Sequence, residues 1–149
     1  MLLIPPFQLD GNLPPGVHWE VWLEIEARLG QTFHRRGLLR GLGEAIESLV
    51  DAGCGAVYLD GSFVTAKEQP GDFDACWDVA GVNPDKLDPV FFNFDNGRAA
   101  QKARFGGELF PAQLPEAWSG KTFLEFFQTD RVTGTLKGII GIDLKRWRV

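Results

Sequence analysis

The amino-acid sequence predicts an α/β (α+β) fold in which a small mixed β-sheet is flanked by helices. Two segments in the first third of the chain, 18–29 and 38–53, repeat apolar residues at helical spacing. Three shorter segments, 54–61, 72–79 and 137–147, have the apolar runs or the alternation of strands. Their order along the chain is typical of helices packed on one sheet.

Length and composition indicate one domain over residues 1–149, with 1–17 as a proline-rich, extended N-terminal arm. The chain is 44% hydrophobic and 23% charged, which suffices for one core. The net charge of −5 argues against broad, non-specific nucleic-acid binding. No apolar run has the length of a membrane span, and the N-terminus lacks the basic start of a signal peptide, so we expect a cytoplasmic protein without a membrane partner.

The first predicted helix, His18–Leu29, ends at Gly30, and the second ends at Gly53. The segment 54–61 is predicted to be a buried strand. The following strand alternates a core face with an acidic face, and the acidic face carries Asp72, Asp74, Cys76 and Asp78. Cys76 and Cys54 are expected to be buried, reduced thiols rather than a disulfide.

The second half of the chain gives weaker signals. Residues 83–94 fit a short helix or a strand, and 96–107 fit one or two helical turns before a Gly-Gly break. Residues 119–134 predict a short helix capped by Ser119 or Thr122. The last segment, 137–147, predicts a strand around Asp143.

Asp72 and Asp74 are the first chemical signal. Side chains two apart on a strand point the same way, with Cα atoms roughly 6.5–7 Å apart, so the two carboxylates repel each other. A divalent cation removes that repulsion, and Mg²⁺ favours one or two carboxylates together with phosphate oxygens. Upstream, the turn at Gly61 and Ser62 lets the backbone approach a phosphate and directs N–H groups at it.

The string Gly61-Ser62, nine residues, then Asp72-Phe73-Asp74 resembles the signature of the nucleotidyltransferase superfamily. The wider pattern, with "FFQTDR" and "KGIIGIDL" downstream, is similar to an uncharacterised bacterial family of small nucleotidyltransferase-like proteins. The small size also resembles the minimal nucleotidyltransferases of toxin–antitoxin loci.

The resemblance implies that Gly61 and Ser62 hold the triphosphate of an NTP and that Asp72 and Asp74 bind Mg²⁺. Lys67, in the loop between the two motifs, could also reach a phosphate. It implies transfer of a nucleoside monophosphate to a hydroxyl of an RNA end or a partner protein, in a toxin–antitoxin context. The superfamily adds a third carboxylate on a neighbouring strand. Asp143 is the best match, before Glu125 and Asp78.

Structural alternatives exist for each residue. The aspartate pair could flank a turn, Ser62 could cap a helix, and Lys67 could be a solvated loop residue. Asp143 could be a surface charge or an ion-pair partner of Lys137. Three basic residues at near-helical spacing could line a nucleotide or form a solvated face: Arg98, Lys102 and Arg104.

Two other functions fit the same residues. One is a catalytically degenerate fold that acts as an antitoxin or regulator by binding a protein. The other is a phosphohydrolase that uses water as the acceptor.

Overall fold

A mixed five-stranded sheet forms the centre of the protein. The computed structural model describes residues 4–67 and 69–147, and for Ser62 the backbone alone. The strands are β1 (Gly16–Trp19), β2 (Ala56–Asp60), β3 (Phe73–Trp77), β4 (Gly107–Pro111) and β5 (Gly138–Asp143). They are arranged in the order β1-β5-β2-β3-β4. Because β1–β5 and β3–β4 are parallel while β2 is antiparallel to both its neighbours, the predicted mixed sheet is confirmed.

The helices are α1 (Trp22–Leu29), α2 (Phe33–Asp51), α3 (Asp95–Phe105) and α4 (Phe123–Phe127). α4 begins with a capping box in which the Thr122 hydroxyl accepts from the Glu125 N–H and the Glu125 carboxylate accepts in return, so the predicted Thr122 cap is confirmed. None of the helices in the described part of the chain is long and apolar enough to cross a membrane.

The two faces of the sheet are covered differently. The main core lies between one face and helices α1–α3, where side chains such as Leu59, Phe73 and Ile140 are fully buried. A smaller cluster covers the middle of the other face and consists of Cys76, Phe110, Ala112, Phe127 and Ile139. Both cysteines are free and buried, as expected. The face predicted to be acidic is therefore apolar in its middle, and carboxylates reach it only towards the ends of the strands.

The predicted helix His18–Leu29 is wrong at its start, because His18 and Trp19 belong to β1. β1 lies against two glycines of β5, Gly138 and Gly141, where a side chain would collide with the incoming chain. The close approach that these glycines permit is a tertiary effect, and it overrides the helical spacing of the tryptophans.

The predicted N-terminal arm is also more closely integrated than expected. Leu13 is fully buried and Ile4 is 5% exposed, so the arm contributes to the main core. Its last two residues, 16 and 17, are part of β1. From residue 4 onwards, this segment is therefore an integral part of the folded domain.

β4 was not predicted. The sequence analysis ended the helical turns at the Gly-Gly break, and the structure indeed ends α3 at Gly106, which has a φ of 84°. Gly107, however, is the first residue of a strand that pairs in parallel with β3. A Cβ at Gly107 would lie about 2.5 Å from the Phe73 ring, so the glycine permits close packing of β4 on β3.

Candidate metal site

Three acidic residues lie side by side across three neighbouring strands. In the β2–β3 pair Asp60 lies opposite Asp74, and in the β3–β4 pair Asp74 lies opposite Glu108. Residues that face each other across a ladder point to the same side of the sheet. Asp72 precedes Asp74 by two residues and joins this side. The sheet therefore gathers four carboxyl groups at the end where β2 finishes and β3 and β4 begin.

Asp72, Asp74 and Glu108 form the candidate metal site. Each offers one carboxylate oxygen, and these three oxygens lie within 4.8 Å of one another. Such a spacing suits one hard divalent cation, which takes oxygen ligands only. It fits Mg²⁺ better than zinc, because the group has no thiol or imidazole.

The electrostatics of the site favour a cation. The pKa of Asp74 is raised to about 7, first by burial and then by the neighbouring carboxylates of Asp72, Glu108 and Asp60. The pKa of Asp72 is also raised, first by burial and then by Glu108. Raised pKa values mean that the ionised carboxylates are unfavourable without a counter-ion. A bound cation would stabilise the ionised forms and lower these pKa values.

Glu108 is the third carboxylate on a neighbouring strand, and sequence analysis missed it. Arg98 Nε donates to one carboxylate oxygen of Glu108, and Lys102 Nζ lies 3.2 Å from the other. Two of the three predicted basic residues thus flank the site, whereas Arg104 pairs with Asp88 at 2.9 Å. The signal in the sequence was the alternation around "GELF", in which Glu108 stands between a glycine and a leucine.

Asp143, the expected third carboxylate, is not at this site. It lies opposite Ala56, the first residue of β2, whereas the cluster lies at Asp60, the last residue of that strand. Four residues of strand separate them by about 13 Å. The Asp143 carboxylate instead accepts from the Lys145 N–H at 3.0 Å and caps a short 3₁₀-helix, Leu144–Arg146. Lys137, the ion-pair partner considered for it, lies 3.5 Å from Asp60.

Glu125 and Asp78 are also excluded as the third carboxylate. Glu125 is used by the capping box of α4, where hydrogen bonds with Thr122 lower its pKa. Asp78 follows the far end of β3, where its carboxylate accepts from Gln113 Nε2 at 2.7 Å. Each of these two carboxylates thus has its own hydrogen-bond donors away from the metal site.

Gly61 lies directly against the metal site. It has a φ of 81°, and a Cβ added there would overlap the Asp74 carboxylate. Only glycine satisfies both the backbone conformation and this contact. The residues that follow, Ser62–Val64, form one turn of 3₁₀-helix. The side chain of Ser62, a predicted phosphate ligand, lies outside the described part of the chain.

The loop from the glycine to the aspartates is held by the start of α2. Arg35 is 6% exposed and donates to the carbonyl oxygens of Phe63, Thr65 and Lys67. The neighbouring His34 Nε2 donates to the Pro70 carbonyl. These two side chains, which we call the α2 clamp, fix the loop at several points between Gly61 and Asp72. Sequence analysis did not identify either residue.

Lys67 lies on this loop with an exposed side chain, and its positive charge lowers the pKa of Asp72. It is therefore near the metal site, although no ligand contact follows from its position. The structure thus brings Gly61, Asp72 and Asp74 together, with Lys67 nearby. The third carboxylate of the group is Glu108 and not Asp143.

Two clefts meet at Asp74. The first, which we call the glycine cleft, has a volume of about 360 Å³ and includes Asp60, Gly61, Arg131 and Lys137. The second, which we call the aromatic cleft, has a volume of about 830 Å³ and extends over β4 and α4. Arg131, Phe126 and Phe127 border both clefts. A ligand that bridges Asp74 can therefore extend in two chemically different directions.

Fold and site together define a small mixed α/β domain with a three-carboxylate cluster beside a tight glycine turn. The chain belongs to a family of unknown function, DUF6932, whose model matches residues 5–143. Strands β1–β5 and all members of the metal site lie within the matched range. Comparison with curated proteins gives no match, and comparison with solved structures gives none either.

Proposed function

We propose that the protein is a Mg²⁺-dependent nucleotidyltransferase that transfers a nucleoside monophosphate from an NTP to a hydroxyl group. The observation that carries the proposal is the cluster of Asp72, Asp74 and Glu108 in contact with Gly61. Carboxylates on adjacent strands beside a phosphate-accessible turn are the groups that phosphoryl transfer requires, because its catalysis is mostly positioning and charge stabilisation. The resemblance of residues 61–74 to the nucleotidyltransferase signature supports the same function.

In the proposed reaction the acceptor oxygen forms a bond to the α-phosphorus, and the bond from that phosphorus to the pyrophosphate oxygen breaks. Asp72 and Asp74 would hold Mg²⁺, with Glu108 of β4 as the third carboxylate. When bound, Mg²⁺ neutralises phosphate charge and orients the reacting oxygens. The proton of the acceptor hydroxyl leaves to a carboxylate oxygen of this cluster or to solvent. Pyrophosphate carries away the leaving electron pair.

The glycine cleft suits the β- and γ-phosphates. Gly61 presents backbone without a side chain, and two cations, Arg131 and Lys137, border the same space. Lys137 is only 18% exposed and already lies 3.5 Å from the buried carboxylate of Asp60. Its charge is therefore fixed in place but shared with Asp60. Because Asp74 and Asp130 also border the cleft, phosphates would bind there together with Mg²⁺, which offsets these carboxylates.

The second candidate is a catalytically degenerate member of the same superfamily that binds a protein as an antitoxin or regulator. The contacts of Glu108 favour it, because Arg98 and Lys102 already neutralise this carboxylate without a metal. For the enzyme, these two cations are counter-ions that the metal replaces. The identity of the acceptor is also part of this proposal. It is either an RNA end or a side chain of a toxin or antitoxin partner.

Label transfer tests the enzymatic proposal. The protein is incubated with Mg²⁺, each α-labelled NTP in turn, and cell extract as the source of acceptors. We expect label on an RNA or protein with the wild type and at least a hundredfold less with Asp72→Asn/Asp74→Asn. Asp143→Asn is the matched control, because it changes an aspartate on the same face of the sheet, and it should keep full transfer.

Two results would contradict the enzyme. One is the absence of transfer with all four nucleotides, and the other is equal transfer by the double variant. Co-purification of a protein partner that is unaffected by Asp72→Asn/Asp74→Asn, together with no calorimetric binding of Mg-NTP, would establish the second candidate. Release of free nucleotide or phosphate without labelled macromolecule would instead identify a hydrolase.

A further inference from the structure

The aromatic cleft is not used by the metal and phosphate chemistry described above. It lies beside Asp74 and has a volume of about 830 Å³, within the range of roughly 300–1,000 Å³ typical of small-molecule sites. Its walls include Phe110 of β4 and Phe123, Phe126 and Phe127 of α4. The rings of Phe110 and Phe123 stack with centroids 4.6 Å apart. The cleft is therefore suited to a flat, apolar group.

The rim of the aromatic cleft carries an exposed tryptophan. Trp118 is 93% exposed, which is unusual for the largest apolar side chain. Its turn is held in place, because the Glu116 carboxylate accepts from the Trp118 N–H at 3.0 Å and from the Ser119 N–H at 2.9 Å. These bonds hold the backbone of Trp118 at the mouth of the aromatic cleft, where the exposed indole offers a stacking surface.

The cleft also has a charged end. Glu108 and Asp74 of the metal site border it, as do Arg98 and Arg131. The Arg98 guanidinium lies 4.8 Å from the Phe110 ring centre, and that of Arg131 lies 5.4 Å from the Phe126 ring centre. One ligand that meets all these features has a planar ring at one end and a phosphate at the other, close to Asp74.

We propose that the aromatic cleft binds the nucleoside part of a nucleotide, with its base stacked on Trp118 and Phe123 and its phosphate at the metal site. The proposal deepens the proposed function and depends on it for the position of the phosphate. It also gives the ligand a direction: the base lies over β4 and α4, and further phosphates extend into the glycine cleft. The nucleotide is either the NTP or the terminal nucleotide of an RNA acceptor, since both present the same base and phosphate.

Binding measurements with and without a base test this assignment. Calorimetry is performed with Mg-ATP, with Mg-tripolyphosphate, which lacks a base and ribose, and with AMP in the presence of Mg²⁺. Because base–aromatic stacking on one side chain commonly changes affinity by roughly tenfold or more, Trp118→Ala should weaken ATP and AMP binding at least tenfold. The same variant should bind Mg-tripolyphosphate as the wild type does.

Two further variants sharpen the test. Phe123→Leu keeps the side chain apolar but removes the ring, and it should weaken the same two ligands severalfold. Trp19→Phe is the control, because Trp19 lies on the edge strand β1, is also exposed, and contacts Tyr58 rather than the cleft. This control should leave all three affinities unchanged. Tryptophan fluorescence should also be quenched by AMP in the wild type and much less in Trp118→Ala.

A second arm distinguishes the two sources of the base. If ATP competes with a short oligoribonucleotide that ends in a 3′ hydroxyl, both occupy the aromatic cleft. If the oligoribonucleotide binds together with ATP and only its affinity depends on Trp118, the cleft binds the acceptor. Either result supports a nucleoside site.

The proposal is overturned if Trp118→Ala and Phe123→Leu bind every nucleotide as the wild type does. If Mg-tripolyphosphate still binds in that case, the proposed function survives and the base lies elsewhere. Conversely, AMP binding that depends on Trp118 in a protein that binds neither Mg²⁺ nor tripolyphosphate would support the nucleoside site and reject the transferase.

Discussion

The two ends of one sheet face carry aspartates in opposite situations. At one end Asp74 is buried beside Asp72, Glu108 and Asp60, and its pKa is raised to about 7. At the other end, Asp143 and Asp78 each accept a hydrogen bond from the backbone N–H two residues further along the chain. Asp78 also accepts one from the Gln113 side chain. All are acids on or beside strands, and the sequence pattern around Asp143 is the more regular. The two ends therefore differ in what surrounds the carboxylate: Asp74 lies against other carboxylates, which favours a bound cation, whereas Asp143 and Asp78 already have hydrogen-bond donors close by.

The largest expected difference between the two ends is in catalysis. Glu108→Gln removes one charge of the metal site while keeping the size of the side chain, and it should reduce nucleotide transfer about a thousandfold, or about 4 kcal/mol. Glu125→Gln, an acid used for helix capping, should change transfer less than twofold. Labelled-nucleotide transfer at saturating Mg²⁺ measures both. Equal activity of the two variants would remove Glu108 from the site.

The next effect concerns how the acidic end is built. Arg35→Gln leaves several carbonyl groups of the loop without their donor, and each buried unsatisfied group costs about 1–3 kcal/mol. We expect the free energy of unfolding to fall by about 3–5 kcal/mol in urea denaturation. Arg35→Lys should recover part of the loss, because one ammonium group replaces only some of the donors. A loss below 1 kcal/mol for Arg35→Gln would show that the loop does not depend on the α2 clamp.

A smaller effect is expected in the pH dependence of stability. The folded pKa of Asp74 is about 7, above the value near 3.9 of an unfolded aspartate, so the folded state binds the proton more tightly. The contribution of the Asp74 carboxyl group to the free energy of unfolding is therefore complete below about pH 4 and is lost as the pH rises towards 7. Asp74→Asn, measured in EDTA, should gain stability relative to the wild type by about 2–4 kcal/mol between pH 4 and pH 8.

Mg²⁺ should remove much of the pH dependence of the wild type, since a bound cation stabilises the ionised carboxylate. A difference between Asp74→Asn and wild type that does not change with pH would contradict the raised pKa.

The smallest effect is expected at the other end of the sheet. Asp143→Ala removes the side chain that caps the 3₁₀-helix Leu144–Arg146, which should cost about 1 kcal/mol in the free energy of unfolding. Calorimetric Mg²⁺ affinity should not change, because Asp143 is about 13 Å along the sheet from the metal site. Loss of Mg²⁺ binding in this variant would place the metal site at the Asp143 end of the sheet instead.

The sequence predicts the parts of this protein that depend on local pattern. The period of α2, the alternation of β3 and the cap at Thr122 are all readable, because each involves residues close together in the chain. The spacing from Gly61 to Asp74 was also informative, since the structure places the two in contact.

The rest depended on contacts between distant segments. β4 has no β-branched residue and begins at the second of two glycines, so it resembles a loop until it is paired with β3. Without β4, Glu108 had no partner strand, and the search for a third carboxylate settled on Asp143. Likewise, Arg35 looked like one of several arginines of a helix, because only the folded chain places the loop carbonyls around it.

The α2 clamp has a consequence for the dynamics of the site. A surface loop usually opens by itself, independently of the core. Here the carbonyls of Phe63, Thr65 and Lys67 are bonded to a side chain that is itself buried at the start of the longest helix, so the loop opens only when that helix end does. Residues 63–67 are thus coupled to the start of α2. The amide hydrogens of Val64 and Ala66, which donate to the carbonyls of Gly61 and Gly11, should therefore exchange with solvent more slowly than those of a free surface loop.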